Sequence, residues 1–148
     1  MKTFKDSTGR EWKIALNLGT AKAVKDKLGV DLLQPEVGDP PPITRFGTDE
    51  TFLAEVIFCL LEKQFDERKL TAEDVYDSFD GRTILDSQSA FYDELIDFFQ
   101  SRGRADRVKA VAKQKQVIEM AIASASSRID TFDVQKAIDG AMSGVSQV

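Results

Sequence analysis

Apolar residues recur along this chain with two different periods. Trp12, Ile14 and Leu16 alternate with Lys13 and Ala15, the two-residue period of a strand with one buried face. Phe4 faces them from across Asp6-Ser7-Thr8-Gly9, where Asp bonds its own backbone and Gly accepts a positive φ. Residues 2–17 therefore predict a hairpin with a short loop. A lone two-stranded hairpin is marginal in water, so its Trp12 face must pack on helices. The period then changes. From Asn17 or Thr20 as N-cap, Ala21, Val24 and Leu28, extended by Leu32 and Leu33, form a helical stripe with Lys22, Lys25 and Lys27 turned outward. This predicts a helix over 20–33 that Gly29 ends or loosens.

Residues 34–47 hold all four prolines and read as a loop, with Pro40 to Pro42 as an extended connector. A groove-binding proline motif is the sharper reading of that triplet and a rigid spacer the plainer one. A helix over 49–64 follows, with Phe52, Leu53, Val56, Ile57, Leu60 and Leu61 on a broad apolar face. Thr71 caps a short helix over 71–79, which Asp80-Gly81 stops. The next helix, 82–100, places Ile84, Leu85, Phe91, Leu95, Ile96 and Phe99 at helical spacings. Beyond Arg102 a narrow stripe close to a heptad runs through Val108, Val111, Lys115, Ile118, Ile122, Ala125, Ile129 and Phe132, predicting one long helix over 104–128. A break at Asp130 and a second Thr-capped segment over 131–142 are expected after it. The fold class is mainly α: a small helical domain with an N-terminal β-hairpin and a long C-terminal helix. The expected organisation is a hairpin plus helical core over 1–100 and an extended helical segment over 101–148.

Charge adds a second pattern. The net charge of −5 divides into +4 over residues 1–30, −12 over 31–101, +5 over 102–115 and −2 over 116–148. Complementary packing within one chain explains such blocks, and so does self-assembly, basic patch on acidic patch. No apolar run approaches the length of a membrane span, and the charged start lacks a signal-peptide core, so a soluble, unexported protein is expected. The single Cys59 lies in the apolar run VIFCLL, which predicts a buried free thiol.

The 148 residues include no histidine, which removes the usual general base and the commonest nitrogen ligand for metals. Carboxylate-only chemistry remains. Asp93, Glu94 and Asp97 share one helix, with Asp93 and Asp97 four apart, a weak metal pattern against the plainer reading of a solvated acidic face. No P-loop, dinucleotide glycine pattern or EF-hand loop occurs, and no cofactor is expected. The dense basic stretch from Arg102 to Lys115 has no interleaved aromatics and belongs to an acidic protein, which argues against nucleic acid.

The blocks TFKDSTGREWKIALNLGTAKAVKDKLGVDLL, FLAEVIFCLL, LTAEDVYDSF and AFYDELIDFF, with the turn pattern Asp6, Gly9, Arg10, Trp12 and the helix end Val30 to Leu33, carry a family likeness. Over roughly residues 3–99 the chain resembles small proteins from tail-gene clusters of prophages and long-tailed phages, of the tail-assembly chaperone type. The resemblance implies a non-enzymatic protein of the bacterial host's cytoplasm. Its partners would be the tape-measure protein, which it holds soluble, and tail-tube subunits, with a homo-oligomer also open. A structural virion component that forms a ring in the tail or neck is the alternative. Partner binding is expected on the helix after the core, at Arg102, Arg104, Arg107, Val111, Lys115, Ile118, Ile122 and Ile129.

Overall fold

The computed structural model describes residues 1–131. Strands β1 (Lys2–Lys5) and β2 (Glu11–Ile14) form an antiparallel hairpin in the register Lys2↔Ile14, Thr3↔Lys13, Phe4↔Trp12, Lys5↔Glu11. Helices α1 (Leu18–Leu28), α2 (Pro42–Thr48), α3 (Glu50–Glu67), α4 (Ala72–Asp77), α5 (Gly81–Ser101) and α6 (Ala105–Thr131) follow. The protein is mainly helical, with the hairpin first and a long helix last. It divides into two compact units, Met1–Lys115 and Gln116–Val148. Residues 101–115, expected with the C-terminal segment, belong to the first unit, because Arg107 and Val111 are buried in it.

The hairpin turn is organised around one carboxylate. Asp6 is buried and accepts from the Thr8 amide (2.9 Å) and hydroxyl (2.6 Å), the Arg10 amide (3.1 Å) and guanidinium (3.3 Å), and the Trp12 indole Nε1–H (2.9 Å). Gly9 supplies the left-handed residue of the loop at φ 85°. The Trp12 ring is fully buried edge-on against Phe65 of α3, with centroids 5.6 Å apart, and the Arg68 guanidinium lies over it at 4.6 Å. Burying so large a ring requires its N–H to be satisfied, and Asp6 does that from within the same hairpin.

The hairpin is tied to the helices through polar contacts as well. The Gln64 side chain donates to the Lys13 carbonyl (2.8 Å) and accepts from the Lys13 amide (3.0 Å), pairing the open edge of β2 as another strand would. Arg68 donates to the Glu11 carbonyl. On the other side, β1 lies along α5, and buried Glu94 accepts from the Leu16 amide at 2.8 Å.

Asn17 caps α1 in a reciprocal pair with Thr20, and Gly29, at φ 68°, closes it. The stripe expected to continue to residue 33 therefore leaves the helix at Leu28, although Val30 and Leu32 remain buried as loop residues. Residues 34–47 are not all loop. Pro42 opens α2, because the first helical position needs no N–H donor and its φ suits the proline ring. That turn buries Phe46, which packs on Phe52, Phe91 and Tyr92.

Asp80 caps α5 through the Thr83 amide and hydroxyl, so Asp80-Gly81 starts the next helix rather than only stopping the last. Phe91, Leu95 and Phe99 of α5 are buried as their spacing implies, but Ile84 and Leu85 are exposed. The inward positions of that first turn are taken by Thr83 and Ser87. Cys59 is half-buried rather than buried, and its partial burial pushes the thiol pKa up. Helix α6 runs through Asp130 to Thr131 without the expected break; the Thr-capped segment over 131–142 lies outside the described residues beyond its first position.

Burial alone would raise the Asp6 pKa, but the hydrogen bonds from Thr8, Trp12 and Arg10 outweigh it and hold the carboxyl at about 2, below its ordinary 3.8. The folded-state value is depressed, so the stabilisation is complete above about pH 4 and is lost as pH falls toward 2. With allowance for solvent around the half-exposed Arg10, it amounts to about 1 to 2 kcal/mol. Asp6→Asn should lower the urea midpoint at neutral pH and flatten the fall in stability between pH 4 and 2. An unchanged acid profile in the variant would remove Asp6 from this role.

Candidate functional site

The basic stretch that sequence spacing marks for partner binding is divided by the structure. Arg107 is 8% exposed, ion-paired with Glu36 (Nε–Oε1 3.0 Å, Nη2–Oε1 2.9 Å), with its guanidinium 5.6 Å from the Phe99 ring centre. Val111 is fully buried. Lys115 donates to Asp93 of α5 at 2.6 Å. These three side chains hold the start of α6 on the first unit. Arg104 makes a two-pronged contact with Asp106 at 3.0 and 2.7 Å, which holds the Asp106 pKa at about 2. Arg102 is exposed, with its guanidinium 5.7 Å from the Phe98 ring centre. Ile118 is half-buried and belongs to the second unit, whereas the side chains of Ile122 and Ile129 lie outside those described.

The carboxylates of α5, weighed as a metal pattern or a solvated face, are engaged by cations. Asp93 takes Lys115, Asp97 takes Lys2 at 2.6 Å, and Glu94 takes the Met1 amino group at 2.8 Å. The Lys2 hydrogen bond lowers the Asp97 pKa, while the same contact raises that of Lys2. Among the described residues no three His, Cys, Asp or Glu side chains gather to hold a metal ion. No described helix is long and apolar enough to cross a membrane.

A different surface stands out on the first unit. Phe58 of α3, Tyr76 of α4 and Phe79 form a ring cluster, with Phe58 4.7 Å from Tyr76 and 4.9 Å from Phe79 between centroids. Phe4 of the hairpin meets Phe79 at 5.6 Å, so the cluster is continuous with the core. Between it and α5 lies an open hollow of about 150 Å³, lined by Ala54, Ile57, Phe58, Tyr76, Phe79 and Ile84. A second hollow of about 220 Å³ shares Phe58 and Tyr76 and is bordered by Glu55, Cys59 and Glu62. Tyr76 is 55% exposed and Ile84 39% exposed, an uncovered apolar edge beside the acidic helix α4.

Sequence spacing assigned Ile84 and Leu85 to the core and did not find this surface. The available signal was the excess of apolar residues on α5 over what a single inward stripe needs. Two polar residues, Thr83 and Ser87, occupy the inward row one turn apart, which displaces the isoleucine and leucine outward.

Searches against protein-family models, curated proteins and solved structures found no match to the chain. The reading of the surface therefore rests on its own chemistry, which consists of apolar hollows, aromatic edges and charge.

The internal and external members of the basic stretch should separate in stability measurements. Arg107→Ala, which loses a part-buried ion pair and packing on Phe99, should cost about 1 to 2 kcal/mol, whereas Arg102→Ala should stay within about 0.5 kcal/mol. Urea unfolding of the two variants distinguishes them, and equal midpoints would show that Arg107 does not anchor α6.

Proposed function

We propose that this protein is a non-enzymatic tail-assembly chaperone of a long-tailed phage, binding the tape-measure protein during tail morphogenesis. The resemblance over residues 3–99 supports the reading, as does a sequence without histidine. The structural observation behind it is the division of α6. Val111 is spent inside the first unit, while Ile118, which shares helical spacing in sequence with Ile122 and Ile129, belongs to the second unit, on a helix of 27 residues. An apolar row at helical spacing is suited to pairing with a helical client, and a long client offers many such segments. Such work requires apolar contact and release, with no bond made or broken. Tail-tube subunits are the second partner class in this reading, and the host cytoplasm is its setting.

Co-expression with the tape-measure protein of the same gene cluster tests the proposal. The wild-type chain should keep that protein soluble, and Ile118→Asp with Ile122→Asp should lose this while retaining the helical spectrum and unfolding midpoint of the first unit. Purified particles should lack the protein. Its presence there at fixed stoichiometry would favour the ring-forming structural component instead.

A further inference from the structure

The two edges of the hairpin differ. In an antiparallel pair, residues whose amide and carbonyl face the partner strand alternate with residues whose groups face away from it. Gln64 holds both backbone groups of Lys13 and Arg68 holds the Glu11 carbonyl, so these residues face away from β1 and their edge is covered. Their cross-strand partners, Thr3 and Lys5, therefore face away from β2. The amides and carbonyls of Thr3 and Lys5 have no partner among the described residues, and both residues are exposed. Two positions further on, the Ser7 amide donates to the Ser78 carbonyl at 3.0 Å, so the open stretch ends there.

Beside that edge lies a groove of about 450 Å³ between residues 1–4 and α5. Its far wall is Asp86, Ser89, Ala90 and Asp93, at spacings that share one helix face. Small residues leave space at the centre, and the Asp86 and Asp93 carboxylates, 40% and 43% exposed, flank it. Each already holds one cation, Arg82 or Lys115, but a carboxylate accepts several donors. The helix as a whole carries four carboxylates against one arginine.

We infer that β1 takes up an extended segment of another protein as a third strand, with a small apolar side chain turned toward Ser89 and Ala90 and a lysine or arginine two residues to either side. Backbone pairing with Thr3 and Lys5 attaches the segment, and the groove with its carboxylates selects the side chains. Same-face residues four apart in a strand span about 13 Å, and seven residues of helix rise about 10 Å, so one segment reaches both carboxylates. A second copy of β1 does not fit, because its own α5 lies along it and would enter the same groove. The occupant is therefore a segment with no helix packed beside it. Every residue of this site belongs to the first unit, so the inference stands independently of the client reading, which rests on Ile118.

Fluorescence anisotropy provides the test, with the full chain titrated into a labelled seven-residue peptide that has a central valine, lysine two residues to either side and threonine elsewhere. The wild-type chain should bind it. Proline is tolerated on an edge strand where the amide faces solvent, so Thr3→Pro removes an outward donor and no internal hydrogen bond. The variant should keep the wild-type unfolding midpoint and bind the peptide about tenfold or more weakly. The same peptide with glutamate in place of lysine should also bind the wild type about tenfold or more weakly. In the wild-type chain, amide exchange at Thr3 and Lys5 should slow on saturation with the lysine peptide, a readout that needs no variant to fold. Failure of the lysine peptide to bind, binding without slower exchange at Thr3 and Lys5, or equal binding of the glutamate peptide would each overturn the inference. Self-association of the wild-type chain that Thr3→Pro abolishes would overturn it too, by making a second copy the occupant.

Discussion

The hydrogen bond from Trp12 to Asp6 is the contact on which the arrangement of the first unit depends. The core needs a large side chain above α3, and an indole brings a donor that water can no longer satisfy. Asp6 meets that donor while also accepting from Thr8 and Arg10, so one carboxylate fixes the hairpin loop and seals the core beneath it. The rest follows from the position of that ring. Phe65 meets it from α3, Arg68 covers it, and Gln64 on the same helix pairs with the backbone of β2. The strand paired with β2 then lies along α5, whose Glu94 holds the chain as it leaves the hairpin toward α1.

Much of this was legible in sequence where a single period governs a segment. The alternation around Trp12, the broad stripe of α3 and the Thr71 cap each specify their own geometry. Other features depend on competition that a single segment does not reveal. Pro42 is compatible with a loop or with a first helical turn, and Phe46 decides between them by finding Phe52 and Phe91. Ile84 and Leu85 have core-like spacing, but Thr83 and Ser87 share their helix turns, and only packing shows which pair faces inward. The candidate site was less legible than the fold for the same reason. Arg107 and Lys115 look like surface cations until Glu36 and Asp93, far away in sequence, are placed beside them.

Charge segregation along the chain serves two ends. Part of it is consumed internally, where the acidic α5 takes Lys2 and Lys115 and the loop residue Glu36 takes Arg107. What remains is exposed, including the carboxylates Glu73 and Asp77 of α4 and the lysines Lys109 and Lys113 of α6. Exposed ion pairs of this kind add little to stability, but their arrangement governs which surfaces meet and how quickly. Internal charge thus holds the shape, and external charge is left to govern encounters with other surfaces.

The central structural claim is that the hairpin is part of the helical core rather than an appendage to it. Native-state hydrogen exchange, followed residue by residue, tests this most directly. The ladder amides of Lys2–Lys5 and Glu11–Ile14 should exchange with the same opening free energy and the same denaturant dependence as the slowest amides of α3 and α5. Exchange of the hairpin amides through a separate, much easier opening, with the helices still protected, would contradict the account.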